Sequence, residues 1–188
     1  VEIKAADLGP RYAGRHIRGV KVGPSPDWLR LRLESVGMKS INNVVDVTNY
    51  VMMEMGQPLH VFDVREIKGL SIMVDRARVG EAFTTLDRTE LKLDGTELTI
   101  RDRERPVALA GVIGGKNSGV SDTTVDVFIE SAYFTPGAVR RTMRKFGLNT
   151  DSGYRLARGV NPETTADVLE RATSLMIQVA GGEASDTR

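Results

Sequence analysis

NYVMMEMGQPLHVFD, residues 49–63, decides how this chain is read. Its first half continues a pattern in which Val44, Val47, Thr48, Val51, Met52 and Met55 recur at three-and-four spacing, as on one buried helix face. The helix starts near Asn42 or Asn43, where a side-chain oxygen can cap the first turn, and Gly56 stops it. Asn49 lies off the main apolar stripe. His60, one of two histidines in the chain, follows the Gly56-Gln57-Pro58 break in a loop, and residues 64–67 make one further turn. A lone histidine is commonly a structural one. A rigid polar turn with Gln57, Pro58 and Asp63 around it also suits a functional group that must be held still.

Outward from this break the pattern changes twice. Toward the N-terminus, IRGVKV reads as a short strand, and SPDWLRLRLESVG as a helix with Ser25 as cap, Pro26 in the first turn and Gly37 as stop. Trp28, Leu29, Leu33 and Val36 form its expected buried stripe. Toward the C-terminus, LSIMVDRA, FTTLD, ELKL, ELTIRD, PVALAGVIGG and VDVFIE are short β-like runs, with Asp94-Gly95 as a hairpin signal. Helices return in TPGAVRRTMRKFG and in the segment opened by Asn161-Pro162 and closed by Gly181. Ala166, Leu169, Ala172, Leu175, Met176 and Val179 line the buried side of the last helix. Helices at both ends of a run of strands predict an α+β fold.

Composition narrows the function. The chain has 188 residues, 40% hydrophobic and 27% charged, a globular balance. With no cysteine, disulfides, thiolate catalysis and cysteine zinc sites are excluded. No apolar run approaches the roughly 18 residues of a membrane span. The start at Val1 and the loop-like end GGEASDTR suggest a piece of a longer protein. A formal net charge of +1 argues against a free-standing nucleic-acid binder, which needs several cationic phosphate contacts. Charge is uneven, however. Arg140, Arg141, Arg144, Lys145, Arg155 and Arg158 face only Asp151 within residues 140–158, a solvated surface or a local guide for an anionic partner.

Few residues can carry chemistry. Neither His16 nor His60 has a histidine partner at ligand spacing, so no metal is expected. No GxSxG elbow is present. AGVIGGKNSG is a tight turn between strands or a cradle where Gly111, Gly114 and Gly115 admit a ligand against backbone N–H groups. Glu130 ends an alternating strand and is followed by apolar and small residues. If it points inward, a carboxylate there is partly desolvated and needs a donor, whether an arginine or a ligand.

Taken together, SINNVVDVTNYVMMEMGQPLHVFD, ALAGVIGGKNSGV and IESAYFTPGAVRRTMRKFGLNTDSGYRLARGVNPE resemble the central B3/B4 editing domain of bacterial phenylalanyl-tRNA synthetase β subunits. The resemblance covers nearly the whole chain, most closely residues 40–63 and 107–163. It implies a mixed-sheet pseudo-barrel capped and flanked by helices, with a cleft between two intertwined lobes. It implies hydrolysis, by a positioned water, of tyrosine esterified to phenylalanine tRNA. Carried over by motif, the catalytic positions are His60, Asn49 and Thr48, and the substrate-binding positions are Glu130, Gly111, Gly114, Thr150 and Ser152. In that family the glutamate accepts the tyrosine hydroxyl, and the glycines leave room for the ring.

The implied partners are the acceptor end of phenylalanine tRNA and, through the rest of the β chain, the synthetase α subunit. The implied location is the cytoplasm. No cofactor is implied for this domain, whereas ATP and Mg belong to the complete synthetase. The chain departs from the family pattern at Lys39-Ser40-Ile41, at Ser152-Gly153, and at Ala157, where a glutamate is usual. These departures are expected beside the tRNA-end pocket, and the alternative is an editing-inactive structural module contributing to tRNA binding and assembly.

Overall fold

The computed structural model describes residues 1–186. Three open sheets and five α-helices make up the described chain, an α+β arrangement in which no sheet closes into a barrel. The five-stranded sheet runs β1 (Glu2–Ile3), β4 (Met73–Arg76), β7 (Leu98–Arg101), β8 (Pro106–Leu109) and β9 (Ile113–Gly114). It is mixed, with β1 and β4 parallel and the other pairs antiparallel. The four-stranded antiparallel sheet runs β11 (Glu183–Ala184), β2 (Arg11–Arg18), β10 (Val127–Tyr133) and β3 (Leu59–Asp63). β5 (Ala82–Thr84) and β6 (Glu90–Lys92) form a separate hairpin, tied to the end of β9 by a bridge between Thr85 and Gly115.

Side-chain alternation along β10 divides the interior in two. Val127 and Ile129 point with Ala13, Ile17 and Val61 into a core closed by α1 (Asp27–Ser35), α2 (Asn43–Met55) and α5 (Thr165–Ala180). Ala132 points with Phe62 to the opposite side. There it joins Val74, Ile100, Leu109 and Phe134, with Val139 of α3 (Pro136–Phe146) and Leu156 of α4 (Asp151–Leu156). Glu130 falls on this second side by the same alternation. A carboxylate therefore enters a face that also carries Phe128, Ala132 and Phe62.

Helix signals in the sequence mostly hold. Asn42 caps α2 by accepting from the N–H groups of Val44 and Val45, and Gly56 ends it in the left-handed region at φ 74°. Pro136 opens α3 and Gly147 closes it. Asn161 caps a single 3-10 turn, Pro162–Thr164, that leads into α5. Leu169, Ala172, Leu175 and Met176 are buried there, whereas Ala166 and Val179 are half-buried. The turn expected after His60 is also present, at Val64–Glu66.

Other expectations are corrected. The first long strand is β2, which ends before the GVKV of IRGVKV. Ser25 does not cap α1. Its hydroxyl donates instead to Asp46 at 2.6 Å, since a buried carboxylate is the stronger acceptor. On α1 only Leu29 and Leu33 are buried, while Trp28 and Val36 are 38% and 53% exposed. Met55 is exposed at the end of α2. Asp94-Gly95 makes a tight turn, with Asp94 accepting from Thr96, but it joins strands of different sheets rather than a hairpin. Residues 151–156 form α4, a helix that its internal glycine hides from a propensity reading. Finally, His60 lies within β3 and not in a loop.

Candidate functional site

β3 is the edge of the four-stranded sheet and β9 the edge of the five-stranded one. A cavity of about 470 Å³ opens where these two edges approach, with α2 on one flank and α4 on the other. Its volume is in the usual range for a small-molecule site, and its lining is mostly apolar. Thr48, Asn49, His60, Gly111, Gly114, Glu130, Thr150 and Ser152 all line it. The eight positions singled out in the sequence, spread over more than a hundred residues, are thus brought to one cavity.

The closest pairing is between strands. His60 and Glu130 are directly opposite partners in the antiparallel β3–β10 ladder, so their side chains leave the same face. The helix break that precedes His60 is fastened to the same strand. Gln57 is buried and donates from Nε2 to the carbonyl of Ala132 at 2.9 Å and to that of Pro58 at 3.1 Å. The His60 ring packs edge-on against Phe62, with centroids 4.5 Å apart. Its Nε2 is buried and makes no hydrogen bond. Burial lowers its pKa to about 4, because a charged imidazolium would be desolvated. At neutral pH the ring is therefore uncharged.

Glu130 is 6% exposed, and its Oε2 has no hydrogen-bond partner. Burial raises its pKa to about 7, and the approach of the Tyr12 hydroxyl offsets part of the rise. Tyr12 is on the neighbouring β2, opposite Ala132, hence on the face that carries Glu130. Its hydroxyl falls short of hydrogen-bond geometry and is also unpartnered, with its own pKa pushed upward by burial. Sequence reading missed Tyr12. The alternation of RYAGRH would place it on one face with Gly14, but nothing local says which strand lies next to it.

Gly111 and Gly114 both line the cavity and also make room for protein. A β-carbon on Gly114 would stand 2.6 Å from Cε1 of His60. On Gly111, at φ 70°, it would stand 2.8 Å from Leu156 and 2.9 Å from Phe134. The space beside each is already filled by protein. These glycines admit the His60 ring and the Leu156–Phe134 contact, and in that way shape the wall.

Thr150 and Ser152 hold the turn that carries Gly111. The Thr150 hydroxyl donates to the Val112 carbonyl at 2.8 Å and accepts from the Gly153 N–H, capping α4. The Ser152 hydroxyl donates to the Gly111 carbonyl at 3.3 Å. On α2 the Thr48 hydroxyl donates to the Val45 carbonyl at 2.7 Å, so its oxygen can serve only as an acceptor for another group. The Asn49 side chain is half-buried at the same wall.

Of the departures noted in the sequence, Ser40 joins Ser25 and the Ile41 N–H on the buried Asp46, which fixes Ile41 at the cavity rim. Ala157 is buried in the second core and is not among the lining residues. Its carbonyl accepts from Arg140. Other cations of the basic stretch are engaged too: Lys145 with Asp94 and Glu97, Arg155 with Asp151, and Arg158 stacked over Tyr154 at 3.5 Å. Among the described residues no group of three or more His, Cys, Asp or Glu could hold a metal ion. No helix among the described residues is long and apolar enough to cross a membrane.

Comparison with known proteins places this arrangement. The family model described as "B3/4 domain" matches residues 8–181. The chain belongs to the B3/4 domain family. This B3/4 domain is 64% identical, over 98% of its length, to the phenylalanine–tRNA ligase beta subunit of Bdellovibrio bacteriovorus. It is 53% identical, over 97% of its length, to that of Geobacter metallireducens. In both cases it spans only 23% of the relative. Among solved structures, it is similar to an N-terminal fragment of the phenylalanyl-tRNA synthetase beta-subunit from Pyrococcus horikoshii. The TM-score is 0.56 at 15% identity, over 97% of this chain and 48% of that one, a likeness of fold.

Proposed function

We propose that this B3/4 domain is the editing segment of a phenylalanine–tRNA ligase β subunit, and that it hydrolyses the ester of tyrosine mischarged on phenylalanine tRNA. The observation that carries the reading is the rung that sets His60 against Glu130 at the wall of one mostly apolar cavity. An apolar pocket rejects a ligand with one added hydroxyl poorly. A placed polar partner discriminates far more strongly, because the ligand lacking the hydroxyl leaves it unpaired. Glu130, buried with an unpartnered oxygen, suits the phenolic O–H of tyrosine. Phenylalanine would leave that oxygen unpaired, and the correctly charged tRNA would be spared.

The reaction needs water, an ester and a base. Water adds to the ester carbonyl while its proton passes to the neutral His60 Nε2. The C–O bond to the ribose then breaks, and the proton passes to the departing ribose oxygen. Asn49 and Thr48 offer an amide and a hydroxyl oxygen to orient the water or the amino acid. An aminoacyl ester is already activated, so positioning supplies much of the rate, and no covalent nucleophile is required. On this reading the α subunit, ATP and magnesium act in other parts of a cytoplasmic ligase.

The test is tyrosine release from tyrosyl-tRNA(Phe), beside phenylalanyl-tRNA(Phe), by the chain and by the full-length subunit in its complex. Faster loss of tyrosine is expected, with the preference lost in Glu130→Ala and the rate reduced in His60→Ala. Equal stability of both esters in the complex would overturn the proposal.

A further inference from the structure

A second cavity, of about 550 Å³, lies beside the first, and Gly119 lines both. Its wall is polar, built from Arg65, Arg105, Lys116, Asn117, Ser121 and Thr123 with Asp63 and Glu66. Two of the three cations already face a carboxylate, Arg65 on Asp63 and Arg105 beside Asp102, which leaves Lys116 as the free charge among the described residues. Asp63 is buried and already accepts from Arg65 and from the Thr124 hydroxyl. Glu66 is exposed. Lys116 is exposed and pairs with no carboxylate among the described residues.

Arg105 is only partly satisfied. Its Nε is buried without a hydrogen bond, 3.8 Å from an Asp102 carboxylate whose oxygens accept from the N–H groups of Lys68, Glu104 and Arg105. The Arg105 side chain is about one-third exposed and lines the cavity, so the rest of the guanidinium can meet a bound anion there. The hydroxyls of Ser121 and Thr123 and the Asn117 amide add uncharged donors.

We infer that this second cavity is a phosphate subsite for the nucleotide chain whose 3′ end enters the first cavity. The inference rests on the proposed ester hydrolysis for its choice of ligand. Gly119 joins the two walls, and Asp63 lies three residues along β3 from His60, about 10 Å at strand rise, with its side chain on the other face of the strand. A terminal nucleoside bound by its ester near His60 would thus bring a preceding phosphate to Lys116 and Arg105. The near-zero net charge of the chain fits such a subsite, which grips one or two phosphates at the end of a strand rather than a long backbone.

The experiment uses a 5′-phosphorylated CCA trinucleotide, adenosine and inorganic phosphate as probes, titrated into the chain and followed by amide chemical shifts at several salt concentrations. Lys116→Ala and Arg105→Gln are each expected to weaken trinucleotide binding. Each should reduce the slope of log affinity against log salt by about 0.7, the value for one lost phosphate contact on a single strand. Glu66→Gln should strengthen binding, and adenosine should respond to none of the three. Unchanged salt slopes in both cation variants would overturn the inference, as would inorganic phosphate binding as tightly as the trinucleotide. Hydrolysis is scored separately, on tyrosyl-CCA and tyrosyl-adenosine. Absence of hydrolysis with altered salt slopes would sink the proposed reaction and leave the subsite standing. Hydrolysis that falls equally on both esters in Lys116→Ala would sink the subsite and leave the reaction.

Discussion

His60 and Glu130 occupy one rung of the β3–β10 ladder, and burial moves their protonation in opposite directions, to about 4 and about 7. The consequence for stability has a definite sign. His60 has a folded pKa below its ordinary 6.5, so its contribution is lost as pH falls from about 6.5 to about 4. Glu130 has a folded pKa above its ordinary 4.5, so its contribution is lost as pH rises from about 4.5 to about 7. Each amounts to about 3 kcal/mol at full titration. Over their shared window the two slopes oppose each other, so this pair leaves the wild-type profile nearly flat. Urea unfolding across pH 4–7 should show Glu130→Gln gaining stability with rising pH and His60→Gln losing it. Parallel profiles for the two variants would contradict the assignment.

The same titration governs discrimination. An ionised Glu130 is the better acceptor for a phenol O–H, so preference for the tyrosyl ester should rise through about pH 7. Glu130→Gln should have no such rise. Comparing kcat/KM for the two esters between pH 6 and 8 checks it, and a preference independent of pH would assign recognition elsewhere.

Gly114 should not tolerate a methyl group. The β-carbon of Gly114→Ala would meet His60 Cε1 at 2.6 Å and the Leu86 side chain at 2.9 Å. Overpacking of this kind costs about 1–3 kcal/mol. Moving the imidazole by ~1 Å should slow ester hydrolysis by roughly 100-fold. A crystal structure of the variant with His60 unmoved, or full activity, would show that the contact is not limiting.

Thr150 and Ser152 should separate into unequal roles. Thr150 caps α4 and holds the Val112 carbonyl, so Thr150→Ala should cost about 1–2 kcal/mol. Ser152 makes one long hydrogen bond at 3.3 Å, and Ser152→Ala should cost under about 0.5 kcal/mol. Denaturant midpoints at constant m-value would measure both. A Ser152 variant as unstable as the Thr150 variant would mean that the Gly111 turn depends on both hydroxyls.

Much of this was legible in the sequence, for reasons of range. Helix caps and stops such as Asn42, Gly56, Pro136 and Gly147 act within a few residues, so they were read correctly. The alternation around Glu130 likewise gives its strand, but β10 runs on to Tyr133 rather than ending at Glu130, and the inward direction of the carboxylate is fixed only by the neighbouring strands. What failed depended on distant partners. Ser25 has a cap residue's chemistry, but Asp46 lies 21 positions away in sequence and takes its hydroxyl. Asp94-Gly95 turns as its chemistry dictates, yet the flanking strands join different sheets. LHVFD is too short to distinguish a strand from a loop until β10 stands beside it. Glycines 111 and 114 were noticed for lacking side chains, but only packing shows that His60, Leu156 and Phe134 fill the space.

The Asp46 carboxylate gives a last test, because it links the N-terminus of α2 to the cavity rim. It is fully buried and accepts from Ser25, Ser40 and the Ile41 N–H, three donors from two segments that precede the helix. Asp46→Ala would leave those donors unpaired, at a cost of about 3 kcal/mol or more. It would also free Ile41, which is 64% exposed yet lines the cavity, from its anchor. Asp46→Asn keeps one acceptor and should recover part of the stability. Hydrogen exchange at Ile41 would report the release directly. Faster exchange in Asp46→Ala, partly restored in Asp46→Asn, is expected, whereas unchanged exchange would mean that the rim is held by packing rather than by this carboxylate.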